Sequence, residues 1–264
     1  MSVSGNLDRE LAEALEAAGQ AHFDPSGAVC DYAALARSSE RERLAACLFE
    51  LAGFDIKRAQ IPSQLAFWIN VFNAGVLRDA RELESTRAMR EVEAFLERQR
   101  LRIGEHSYSL DDIQHGLLRG NVAKPGRSQP PMPRGDPRLE YMPIVFEERM
   151  HFALHTACRS SPPLRAFDGG KLDRQIEQAS ADYIRRNVRV ERQGAVLFLP
   201  RLFHWFSEDF GGDSGIVDFV VARIEDEALV DMIDRRHGAV TLRYAEFDWT
   251  LNRRMAGQSS GGTR

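Results

Sequence analysis

Residues 62–80 read PSQLAFWINVFNAGVLRDA, and this stretch decides the fold class. Proline in the first turn of a helix loses no hydrogen bond, so Pro62 and Ser63 open a helix that runs to about Ala80. Its apolar residues (Leu65, Phe67, Trp68, Ile69, Val71, Phe72, Val76, Leu77) point in nearly every direction. That is the pattern of a helix buried on most sides, and such a rod needs other elements packed around it.

Working outward, Leu7–Ala18 and Glu40–Leu51 show the three-to-four spacing of amphipathic helices. Further helices are expected at Ser85–Glu97, Leu110–Leu118, Leu172–Arg186 and, in a broken form, Ile216–Arg236. Strand signals are fewer. Arg100–Ile103 and Ser107–Leu110 flank Gly104-Glu105-His106, and Val188–Val190 and Val196–Leu199 flank Gln193-Gly194; both are hairpin patterns. Met150–His155 and Val240–Tyr244 are also read as strands. The expected fold is α+β: a predominantly helical single domain packed on a small mixed or antiparallel sheet. The alternative is a helical N-terminal half carrying a separate sheet domain.

The chain has 264 residues, 43% hydrophobic and 28% charged, an ordinary globular composition that excludes collagen-like and wholly disordered chains. Its net charge of −4 gives no general attraction to nucleic acid or anionic lipid, so neither is expected as a partner. The opening residues lack a basic and then apolar leader. The longest apolar stretch, Leu65–Leu77, is broken by Asn70 and Asn73 and is too short to span a membrane. Cys30, Cys47 and Cys158 form no CxxC pair and leave at least one thiol unpaired, so the expected setting is the reducing cytoplasm. Asn121–Pro137 is rich in proline and glycine and reads as a long loop, and 255–264 as a disordered tail.

The stretch with most chemical potential is His151–Pro163, HFALHTACRSSPP. As a strand, 150–155 would place His151, Ala153 and His155 on one face. It would then deliver Cys158, Arg159, Ser160 and Ser161 to a turn stopped by Pro162-Pro163. An imidazole there can serve as general base toward a hydroxyl or thiol. The competing reading is a satisfied core histidine and a strand terminator. Asn70 and Asn73, three apart on an apolar helix, share a face and need partners. They either pin a neighbouring backbone or orient an imidazole and an oxyanion. His115 follows the acidic Asp111-Asp112 helix start. His151 and His155 lack a third ligand, and no dinucleotide, phosphate-loop or zinc-finger spacing occurs; no metal and no cofactor are expected. Arg201–Phe206 followed by Glu208-Asp209-Phe210-Gly211 reads as a short aromatic helix with a glycine cap, Asp209 being a second-tier catalytic candidate.

Several segments resemble, in order, the signatures of the domain of unknown function 547 family: CDYAAL from Cys30, LAFWINVFNA from Leu65, SLDDIQHG from Ser109, HFALHTACRSSPPLRAF from His151, the Leu202–Phe210 stretch, and YAEFDWTLN from Tyr244. The resemblance implies one domain over 30–254, preceded by a helical extension at 1–29, in a family without an assigned reaction. Members commonly carry H-F-A-L-N-C-G-A-R-S-C-P-P at the central segment. Here Thr156 and Ser161 stand at the family's two cysteines, His155 at its asparagine, and Cys158 where a small residue is usual. Cysteine chemistry centred on those positions is therefore not expected.

Two functions follow as expectations. One is a non-catalytic binding or structural module, using the Asn121–Pro137 loop for a small-molecule or peptide ligand. The other is a hydrolase or acyl-transfer enzyme with His151 as base and Ser160, Ser161 or Cys158 as nucleophile. In that enzyme Asn70, Asn73, Arg159 and His155 would bind substrate, with His115 and Asp209 in reserve.

Overall fold

The computed structural model describes residues 7–56, 61–83, 88–191, 195–224, 226–235 and 240–254. Helix α1 (Leu7–His22) lays Leu7, Leu11, Ala14, Leu15 and Ala18 on one buried face. Asp31 caps the single turn α2 (Tyr32–Leu35), accepting from the Ala34 N–H at 3.0 Å. Ser38 caps α3 (Ser39–Glu50) in the same way, accepting from Arg41 at 3.2 Å, which satisfies amide groups that a helix start leaves open. The central rod is α4 (Ile61–Asp79). Trp68, Ile69, Val71, Phe72, Ala74 and Val76 are all fully buried, as its all-round apolar pattern requires. Both α1 and α3 pack on it.

Helix α5 (Met89–Arg98) leads into an antiparallel hairpin, β1 (Arg100–Ile103) with β2 (His106–Ser109), paired Arg100 to Ser109 and Ile103 to His106. Gly104 takes φ +56° at its turn, a conformation open to glycine. The helix expected at Leu110–Leu118 starts as an α-turn and then winds as a π-helix from Asp112 to Leu118. The Pro/Gly-rich loop forms no regular element between Asn121 and Asp136, yet Met132 within it is fully buried. Asn121 clamps that residue twice, Nδ2 donating to its carbonyl at 2.9 Å and Oδ1 accepting from its N–H at 3.1 Å.

Helix α6 (Leu172–Asn187) is followed by β3 (Arg189–Glu191) and β4 (Val196–Leu199), then α7 (Arg201–Trp205), α8 (Gly212–Val221), α9 (Glu227–Arg235) and β5 (Thr241–Tyr244). The three strands form a mixed sheet in the order β3-β4-β5, antiparallel then parallel. The fold is thus α+β and mostly helical, with its strands divided between a two-stranded and a three-stranded sheet. The broken helix expected at 216–236 is the pair α8 and α9. The Gln193-Gly194 turn and the 255–264 tail lie outside the described residues.

Contacts within the chain group into two compact units: the described residues up to Gln175 with those from Asp248 onward, and Ile176–Phe247. In the first unit the C-terminal segment returns to the N-terminal part. Cys158 bridges Leu251 antiparallel and Cys30 bridges Arg253 in parallel. Tyr32 Oη donates to Asn252 Oδ1 at 2.6 Å, and Asn252 Nδ2 donates to the Ala28 carbonyl at 2.7 Å. Among the described residues no helix is long and apolar enough to cross a membrane.

Candidate functional site

Asn70 and Asn73 sit one turn apart on α4, 2% and 0% exposed. Each uses its amide as a surrogate strand. Asn70 Nδ2 donates to the Phe167 carbonyl at 2.7 Å, and its Oδ1 accepts from the Phe167 N–H at 2.9 Å. Asn73 Nδ2 donates to the carbonyls of Ala153 at 3.0 Å and Arg165 at 3.3 Å, while its Oδ1 accepts from the His155 N–H at 2.8 Å. A side-chain amide offers the same donor and acceptor as a peptide unit, so the irregular 153–167 segment is satisfied without a ladder.

This is why the strand expected at Met150–His155 does not form. Residues Glu148–Phe152 wind as a 3₁₀ turn, capped by Glu147 accepting from Arg149 at 3.2 Å. The Ala153 carbonyl and His155 N–H, which a strand would offer to a neighbour, are already held by Asn73. His151, Ala153 and His155 therefore do not share an alternating face. His151 is 3% exposed inside the 3₁₀ turn.

His155 is completely buried, its ring edge-on to Phe23 with centroids 5.6 Å apart. Its Nδ1 lies 2.7 Å from the Pro162 carbonyl. A carbonyl only accepts, so Nδ1 carries the hydrogen. Burial holds the imidazole pKa down to about 4, so the ring is neutral, and Nε2 is a buried acceptor without a partner. Ser161 Oγ lies 3.3 Å from Nδ1 and donates to the Pro162 carbonyl at 3.3 Å. The nitrogen facing Ser161 is thus the protonated one and has no lone pair to take the serine's proton.

Cys158 is buried, its thiol hydrogen-bonded to the Thr156 carbonyl at 3.4 Å. Burial is the main cause pushing its pKa up to about 12. A thiolate, the reactive form, is disfavoured there. Ser160 Oγ accepts from the Asp248 N–H at 2.9 Å. Arg159 is exposed, its own N–H donating to the Thr250 carbonyl at 2.9 Å.

His115 stands apart in the π-helix, 6% exposed. Arg119 Nη1 lies 3.1 Å from its Nδ1, and arginine only donates, so the imidazole proton is on Nε2, 4.0 Å from Asp111 Oδ1. Asp111 is in turn held by Lys124 at 2.9 Å. Asp209 belongs to the 3₁₀ turn Ser207–Phe210 of the second unit. Among the described residues no group of three or more His, Cys, Asp or Glu is placed to hold a metal ion.

One open space among the described residues of the first unit is a groove of about 580 Å³. It runs between the N-terminal half of α1, the first turns of α4 and the 166–171 segment. Asp8, Ala12 and Glu16 line one wall, Ser63, Ala66 and Phe67 the base, and Asp168 and Lys171 the far wall. Asn70 also reaches it, with its amide already engaged on Phe167. Gly169 makes this wall possible: a Cβ there would stand 2.6 Å from Ser63 Cα. The α1 residues are absent from the site expected from sequence; their only signal was the four-residue repeat Asp8, Ala12, Glu16 on one helical face.

Residues 56–184 match the family model described as "Protein of unknown function, DUF547". The chain contains a DUF547 domain. No curated protein and no solved structure matches it. The matched span holds α4, the hairpin, the π-helix and the 148–167 segment, so the DUF547 match covers both asparagines and the whole HFALHTACRSSPP run. It begins and ends inside the 30–254 limits implied by the resemblance. Outside the match, Cys30 and Leu251–Arg253 are joined to the domain by the bridges described above. Ala157 has φ +58°, in the left-handed region, at the position where the DUF547 pattern carries glycine.

Proposed function

We propose that this DUF547 domain is a non-catalytic binding module whose central motif serves as architecture. One observation carries the reading: five of the polar side chains of the central motif and of α4 are engaged on backbone groups. Asn70, Asn73, Ser160, Ser161 and His155 Nδ1 all bond to main-chain N–H or C=O groups of 153–167 and 248. Buried polar networks of this kind specify a core. A ligand-binding role, for a small molecule or peptide, draws support from the groove, whose size falls in the range of small-molecule sites. The Asn121–Pro137 loop supports it less well, since Met132 and Asn121 give that loop an anchoring task of its own. The three cysteines are free and buried, which supports a reducing, cytoplasmic setting.

A second reading, a serine hydrolase or acyl-transfer enzyme, rests on the 3.3 Å approach of Ser161 Oγ to His155 Nδ1. The hydrogen on Nδ1 and the closure of both groups to water weigh against it. Fluorophosphonate and iodoacetamide probes applied to the native protein near pH 8 separate the two. The binding-module reading expects no fluorophosphonate labelling, iodoacetamide labelling of the buried cysteines only once the chain is denatured, and His151→Ala to lower the melting temperature only. Stoichiometric labelling of Ser160, Ser161 or Cys158 in the native protein, abolished by His155→Ala or by His151→Ala, would overturn it.

A further inference from the structure

We propose that Met132 is a reversible, oxidation-sensitive latch that holds the Pro/Gly-rich loop onto the π-helix. Such a latch governs the loop whether the domain binds a ligand or turns one over. From Pro125 to Gly135 the chain forms no regular element and is exposed at every position but Pro131 and Met132. Its bonds to other main-chain groups are two local turns: the Arg127 N–H donates to the Lys124 carbonyl at 2.9 Å, and the Asp136 N–H to the Pro133 carbonyl at 3.0 Å. Lys124 pins the start of this stretch, lying 2.9 Å from Asp111 and 2.6 Å from Glu97. Arg138, just past its end, lies 2.8 Å from Asp112. Between those pins, Met132 alone among the described residues is fully buried. Asn121 holds its N–H and carbonyl, and its side chain reaches the π-helix at Gly116.

The thioether fills the space that glycine leaves. A Cβ on Gly116 would stand 2.7 Å from Met132 Cε, 3.2 Å from Sδ and 3.4 Å from Cγ. An unbranched, apolar thioether suits such a socket. A sulfoxide does not, because its polar oxygen must be given a donor or be released to water. Burial does not put the sulfur out of reach, since a segment held by so few backbone bonds opens locally while the helices beneath it stay folded. The oxidant is hydrogen peroxide. The sulfur lone pair attacks one peroxide oxygen, the O–O bond breaks, an S–O bond forms, and the other oxygen leaves as water. Sulfur gives up two electrons and the peroxide takes them. A dithiol-dependent sulfoxide reductase reverses the step, the oxygen leaving as water and the dithiol becoming a disulfide. Met150 is the internal contrast. It is equally buried, but it sits in the 3₁₀ turn with its N–H bonded to Glu147 at 3.0 Å and its carbonyl to Ala153 at 2.9 Å.

Peptide mapping of the full chain after dilute hydrogen peroxide tests the latch, with trypsin as reporter, because Arg127 and Arg134 stand exposed on either side of Met132. Met132 is expected to oxidise at least about tenfold faster than Met150. The oxidised chain should be cut at Arg127 or Arg134 at least about tenfold faster than the reduced one. Methionine sulfoxide reductase with dithiothreitol should restore the slow rate. Met132→Leu, close in volume and inert to peroxide, should stay resistant after treatment, whereas Met132→Gln, polar at the same place, should be cut fast without any. Thermal melts of the oxidised chain and of Met132→Gln should keep one cooperative transition. The proposal is sunk by any of four results: Met132 oxidising no faster than Met150, cutting unchanged by its oxidation, faster cutting that persists in Met132→Leu, or cutting that rises only as the cooperative melt is lost.

Discussion

Asn70 and Phe167, 97 residues apart, are joined by a reciprocal pair of hydrogen bonds, the side-chain amide of one closing on the peptide N–H and C=O of the other. All four groups are buried, so deleting the side chain strands two main-chain groups as well as two bonds. Asn70→Ala is expected to lower unfolding free energy by about 2–4 kcal/mol. Asn70→Asp should cost more, because a carboxylate would face the Phe167 carbonyl. Urea unfolding monitored by tryptophan fluorescence measures both; a loss below about 0.5 kcal/mol for either would show that the pairing is not structural.

His155 ties stability to pH. Its folded pKa, about 4, lies below its ordinary 6.5 because burial disfavours the imidazolium. The native state thus binds fewer protons than the unfolded chain between those values. Its contribution is whole above about pH 6.5 and is lost as pH falls through about 4, some 3 kcal/mol in all. Urea midpoints from pH 7 to 4 should fall in the wild type, and His155→Asn should remove about one proton's worth of that slope. An unchanged slope in the variant would assign the acid sensitivity to other groups.

Ala157 holds φ +58° while fully buried. An L-residue in that region carries a strain of about 1 kcal/mol that glycine escapes. Ala157→Gly should therefore raise the melting temperature, whereas Ala157→Val, branched at Cβ, should lower it sharply. Differential scanning calorimetry of the two variants tests the sign.

Two other glycines are close-packed for different reasons. A Cβ at Gly169 would strike Ser63 at its Cα, 2.6 Å away, while one at Gly116 would meet the thioether end of Met132, with Cε at 2.7 Å. Backbone cannot yield as a methionine tip can. Gly169→Ala should cost at least about 2 kcal/mol and Gly116→Ala less than about 1.5 kcal/mol. Equal losses in chemical denaturation would show that neither neighbour's flexibility matters.

The helices were legible because burial imposes a three-to-four period, plain in α1, α3, α4 and α6, and the β1–β2 hairpin because Gly104 marks its turn. Met150–His155 misled for a physical reason. Its alternation is genuine, but the groups that a strand would present to a neighbour are held by Asn73, a side chain 80 residues distant. No local pattern discloses such a partner. The π winding of Asp112–Leu118 was hidden likewise, since every residue of that segment is buried and no exposed face marks its period. His155 and Ser161, six residues apart, lie together in the structure, yet which nitrogen of His155 bears the hydrogen depends on the Pro162 carbonyl. The groove escaped notice because its walls come from helices that look, in sequence, like ordinary solvated faces.

The return of 251–253 between Cys30 and Cys158 has a consequence for biogenesis. Residues 176–247 are threaded into the sequence of a body whose closing piece follows them. On a ribosome, the inserted unit emerges whole while the body that carries it still lacks its last seam. The part synthesised first is therefore the part finished last, and a stalled chain ending before Asp248 would expose the Cys30 and Cys158 edges to the folding machinery of the cell.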